Sequence, residues 1–153
     1  MRTRLVLAAL LALAGFASQA VAAPAAAPPN TRICGQIKGP HAKYLSVVSG
    51  LRSEGTTWTI IVTGVDCTYA KKQTPGLLKQ WAKAKIGASL TLAGASCIKM
   101  TDRGYSGQGT SSGGFMCHKG SSPPTSIFGQ NTFAARETNP YTVAQIKAFF
   151  GIK

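Results

Sequence analysis

The sequence predicts an α+β fold: a small antiparallel sheet with one or two packed helices, held by two disulfides. Three observations predict it. Residues 57–63 (Thr-Trp-Thr-Ile-Ile-Val-Thr) put Trp58, Ile60 and Val62 on one face of a strand and threonines on the other. Two later stretches carry helix punctuation around apolar stripes of helical spacing. Cys34, Cys67, Cys97 and Cys117 are an even set in a short chain, which argues for two bridges. Composition leaves three connectivities open.

The chain opens on an export pattern. Arg2 and Arg4 precede an apolar run from Leu5 to Ala17, and Ala20-Val21-Ala22 offers small residues before a cleavage point. Residues 1–22 are therefore expected to be a secretory signal peptide, residues 23–31 an Ala/Pro-rich linker, and residues 32–153 a single domain. The expected location is secreted and extracellular, with no stable membrane span after cleavage. Cleavage removes two of the 17 basic residues and none of the 4 acidic ones, leaving a net charge of +11.

Residues 32–37 form a short strand candidate ended by Lys38-Gly39-Pro40, and residues 41–56 are ambiguous between strand and loop. After the 57–63 strand, Asp66 is a natural N-cap for a helix beginning at Cys67. Thr74-Pro75 reads as a second helix start, with Thr74 as N-cap and Pro75 at the first helical position. Leu77, Leu78, Trp81 and Ala84 make its apolar stripe, and Gly87 is the expected stop. Residues 88–93 alternate around Leu90 and Leu92; residues 96–100 and 115–117 are short strand candidates. The Gly/Ser-rich 101–114 stretch reads as a loop. Ile127-Phe128 and residues 132–135 suggest a terminal hairpin. Thr142 and Gln145 match a capping box before a short helix that ends at Gly151.

Two segments resemble a group of small, functionally uncharacterised exported proteins common in actinobacteria. They are Gly64-Val65-Asp66-Cys67-Thr68-Tyr69-Ala70, after the Trp58–Thr63 strand, and Gly114-Phe115-Met116-Cys117. The resemblance implies a compact α+β domain of a bacterial protein. It also implies Cys67 bonded to Cys117, and with it Cys34 to Cys97. It implies no activity.

Charge is the strongest functional signal. Lys71, Lys72, Lys79, Lys83 and Lys85 are the densest basic stretch and the candidate polyanion-binding residues. The partners this favours are an anionic surface, a polysaccharide or nucleic acid; Tyr69, Trp81 and Tyr105 could add stacking for single strands. The competing explanation of the charge is solubility. Four carboxylates poorly supply calcium cages or two-metal hydrolysis, and no CxxC spacing is present, so no metal and no cofactor is expected. No catalytic residues are assigned and the reading leans away from an enzyme. The expectation is a secreted, non-enzymatic binding domain with an anionic partner. One alternative is a small basic hydrolase such as a ribonuclease, using His41 and His118. Another is a protease inhibitor using the 101–114 loop, with Arg103 or Tyr105 as its anchor.

Overall fold

The computed structural model describes residues 27–45, 52–100 and 113–153. The signal segment, residues 23–26 of the linker and nearly all of the 101–114 loop, with Arg103 and Tyr105, lie outside these residues.

Eight elements follow in order: β1 (Thr31–Leu45), β2 (Arg52–Thr63), α1 (Cys67–Lys83), β3 (Ser89–Leu92), β4 (Ala95–Lys99), β5 (Gly114–Lys119), β6 (Thr132–Glu137) and α2 (Val143–Phe150). The six strands form one antiparallel sheet in the order β1-β2-β6-β5-β4-β3. The fold is α+β, as the residue pattern predicts. Of the ambiguous 41–56 stretch, residues 41–45 and 52–56 supply the far arms of a long β1–β2 pair, and residues 46–51 lie outside the described residues.

Strand alternation sorts the core into two layers. Trp58, Ile60, Val62, Phe115, Phe133 and Ala135 share one face with Leu77, Leu78 and Trp81 of α1. Ile98, Met116 and Ala134 turn to the other face, where Met100, Ile127 and the half-buried Phe128 and Phe150 cover them. β6 lies between β2 and β5 with both faces covered, so every one of its residues is buried.

The disulfides are Cys34–Cys67 and Cys97–Cys117. This corrects the pairing of Cys67 with Cys117 and of Cys34 with Cys97 that the resemblance implies. Cys97 and Cys117 stand directly opposite each other in the β4–β5 register. Cys34 is the extra residue of a β-bulge, between the pairs Ile33–Ile61 and Gly35–Ile60. A bulge re-aims its side chain, here toward the first turn of α1.

Three further expectations are corrected. Thr74 is not an N-cap: it is fully buried inside one continuous helix and its hydroxyl donates to the Ala70 carbonyl at 2.7 Å. Pro75 therefore sits in a helix interior, where it leaves the Lys71 carbonyl without its i+4 donor and costs about 3 kcal/mol relative to alanine. Gly87 does not stop α1, which ends at Lys83 with Ala84 as cap. The terminal hairpin is also absent. Ile127-Phe128 belongs to a turn on which the Thr132 hydroxyl converges, within hydrogen-bond distance of the Ile127 and Gly129 carbonyls. The strand partners of β6 are instead the distant β2 and β5.

The caps behave as read. Asp66 accepts from the amides of Thr68 and Tyr69 at 2.8 and 3.1 Å. Thr142 and Gln145 close the capping box, and Gly151 takes the left-handed φ of +62° that favours glycine at a helix end. The other end of α1 is held by Lys99. Its ammonium reaches from β4 to the carbonyls of Trp81 and Ala84 at 2.8 and 2.9 Å and lies 4.2 Å above the Trp81 ring. Burial lowers the pKa of this lysine.

Lys99→Met keeps the bulk and removes both charge-assisted bonds. It should lower stability by about 1.5–3 kcal/mol, read as a lower urea midpoint with an unchanged slope. A midpoint equal to wild type would show that the α1 terminus needs no such cap.

Candidate functional site

The five candidate lysines are all exposed, but α1 does not treat them alike. At about 100° per residue, Lys72, Lys79 and Lys83 fall within roughly 40° of one another, opposite the line of Ala70, Thr74, Leu77 and Trp81. A rise of 1.5 Å per residue spreads them over roughly 16 Å. They form one row along the outer crest of the helix. Lys71 lies on the flank toward β1, near Gly35. Lys85 follows the helix end. Lys83 in the last turn also complements the negative end of the helix dipole.

No described carboxylate neutralises this row. Three acidic side chains fall among the described residues. Glu54 is engaged by Lys43 at 3.2 Å, with His41 at 3.8 Å. Asp66 faces the amides of its own helix, which hold its carboxyl below the usual range. Glu137 is fully buried. Among the described residues the charges along the crest of α1 are therefore of one sign, in contrast to a cleft of ≈ 480 Å³ at the N-terminal end of the helix, where Arg32 and Lys153 mix with Asp66.

The aromatic candidates are divided. Trp81 is core, edge-on to Trp58 with ring centres 4.8 Å apart. Tyr69 is half-buried, edge-on to Phe133 and covered by the Lys119 ammonium at 5.3 Å. Tyr105 lies outside the described residues.

The two histidines are not brought together. His118 shares a row with Thr132 and Thr63, whereas His41 adjoins Ala42, which pairs with Gly55. Eight residues of β2, roughly 26 Å of strand, separate those rows. His41 stands in a second β1 bulge, exposed; the Nδ1 atom of His118 is buried without a hydrogen-bond partner.

Glu137 escapes the sequence pattern, because its strand reads as ending at Ala135. It lies opposite Trp58 in the β2–β6 ladder. One carboxyl oxygen accepts from the Asn139 amide at 2.7 Å; the other is buried without a partner. The Asn139 side chain in turn donates to the Glu54 carbonyl at 2.9 Å, and the Ser53 hydroxyl donates to the Glu137 carbonyl at 2.9 Å. This cluster closes the β1–β2 arm onto the end of β6. Burial pushes the Glu137 pKa above its ordinary 4.5, more strongly than Ser53, the Asn139 amide and His41 lower it.

The native state thus holds this proton more tightly than the unfolded chain. Its contribution is complete at acid pH and is lost as pH rises from 4.5 through the native pKa. Glu137→Gln removes the titration. The stability difference, variant minus wild type, should climb as pH rises from 4.5 and level off once pH has passed the native pKa, read in denaturant titrations. A flat difference would show that Glu137 titrates as it does in the unfolded chain.

Comparison with protein-family models, with curated proteins and with solved structures finds no match.

Proposed function

We propose that this chain is an exported, non-enzymatic binding domain that holds anionic polymers or surfaces along the crest of α1. The observation that carries the reading is the row of Lys72, Lys79 and Lys83, all exposed, on a helix crest where no carboxylate among the described residues pairs with them. Solubility alone requires scattered charge; it does not require charge in register on a helix fixed at both ends. Export is supported by the pattern of residues 1–22 and by two formed disulfides, which persist in oxidising compartments. No helix among the described residues is long and apolar enough to cross a membrane. The two-histidine alternative draws no support from groups at opposite ends of a sheet.

Binding of this kind releases counterions and weakens steeply with salt. The oxidised protein should be retained on immobilised heparin at low salt and released as salt rises. The Lys72→Gln/Lys79→Gln/Lys83→Gln variant should elute much earlier, with its log–log salt slope flatter by roughly three. Lys147→Gln/Lys153→Gln, on and beyond α2, should flatten it less per charge removed. Equal flattening per charge removed in the two variants would reduce the effect to net charge and overturn the site.

A further inference from the structure

A groove beside the lysine row has features that charge alone does not explain. It lies between α1 and the second bulge of β1, where Gly39, Pro40 and His41 stand outside the register between Lys38 and Ala42. Its volume is ≈ 220 Å³, and Lys38, Gly39, Pro40, Pro75, Leu78 and Lys79 line it. This is below the roughly 300–1,000 Å³ of pockets for whole drug-sized molecules and suits one ring of a longer chain.

The floor is fixed before any ligand arrives. The Trp58 indole donates to the Pro40 carbonyl at 2.9 Å. The Gly39 backbone lies so close to Trp58 that an added Cβ would stand 2.6 Å from the indole and 2.8 Å from Leu78. Only glycine fits there. The rim is cationic on both sides. Lys38 meets the Thr57 hydroxyl at 3.2 Å, and neither Lys38 nor Lys79 forms an ion pair among the described residues. Pro75 is exposed in the groove wall, at an interior position of α1 where alanine would favour the helix. Pro75 belongs to neither hydrophobic core cluster.

Resting on the polyanion reading above, we propose that this groove is a subsite for one sugar ring of a linear acidic polysaccharide. The ring's C–H face lies on Pro40 and Pro75, and its carboxylate sits between the Lys38 and Lys79 ammonium groups. The chain continues along α1, where Lys72 and Lys83 lie about 10 Å and 6 Å along the axis from Lys79 and meet the next anions. Prolines offer C–H surface and no N–H, which matches a pyranose face. A nucleic acid strand would instead seek exposed aromatic platforms, and the two tryptophans near this face are buried. An anionic membrane surface would meet the lysine crest by charge alone and would leave the recessed groove unused.

The test uses the oxidised full chain, trigalacturonate as the probe, and titration calorimetry at low salt. Wild type should bind trigalacturonate and ignore its methyl ester. Pro75→Ala should melt no lower than wild type yet bind trigalacturonate at least tenfold more weakly. Lys38→Gln, a surface change remote from the core, should also weaken the trimer. Trigalacturonate binding unaffected by both variants, with heparin retention intact, would overturn the subsite and leave the lysine row standing. Tighter binding of a short DNA duplex or of anionic vesicles, lost in Pro75→Ala, would assign the groove to that polymer or surface and overturn the sugar proposal. No heparin retention by wild type would remove the underlying reading itself.

Discussion

Two tryptophans tie the helix to the sheet. Trp58 from β2 and Trp81 from α1 meet edge to face at 4.8 Å, a favoured aromatic geometry. Each buries a polar N–H, and each N–H finds a backbone carbonyl: Pro40 in β1 for Trp58, Gly114 in β5 for Trp81. The pair therefore spans the distance from an edge strand to the far half of the sheet. It sets the height of α1 above the strands. It also dictates glycine at position 39, because the β1 backbone must pass directly over the Trp58 ring. The Lys99 ammonium, 4.2 Å from the centre of the Trp81 ring, completes the arrangement.

With that contact in place, α1 has little freedom. Its first turn is tied to β1 by Cys34–Cys67 and capped by Asp66, and its last carbonyls are taken by Lys99. One side of the helix also reaches down to the sheet edge. The Gln80 side-chain amide donates to the Thr91 carbonyl and accepts from the Thr91 amide, at 2.9 and 2.7 Å. It pairs with β3 much as a neighbouring strand would and shields an exposed edge. A helix held on both ends and one flank presents its outer residues in a fixed register. Lysines carried on such a support lose less ordering entropy on binding than lysines on a loose chain. Lys99 and Lys79 illustrate the division of labour. Both are lysines within reach of α1, yet one is buried as a structural cap and the other is exposed with no ion pair among the described residues.

Much of this was legible in the residues where the cause is local. Asp66, Thr142 and Gly151 act at helix ends within a few residues of themselves, and all three were readable. The Trp58–Thr63 alternation marked a real strand for the same reason. What could not be read depends on distant neighbours. The buried Thr74 mimics a cap signal because Thr-Pro means a helix start unless packing overrides it. The disulfide partners are set by the β4–β5 register and by a bulge at Cys34, neither of which spacing encodes. Glu137 looks like the polar end of a strand and is instead enclosed by Ser53, Asn139 and the opposing Trp58. The basic residues were visible as a count. Their sorting into a crest row, a flank residue and a buried cap required the helix to be placed.

The central claim is that polyanion contact is localised to α1 and the adjoining β1 bulge, and the most direct measurement is an amide chemical-shift map. Adding a heparin-derived tetrasaccharide to isotope-labelled, oxidised protein at low salt should move the amide signals of Lys38, Gly39 and His41 and of the non-proline residues of 71–85. The signals of α2 and of residues 127–137 should stay in place. Shifts spread evenly over the basic residues of both faces, or centred on α2, would contradict the account.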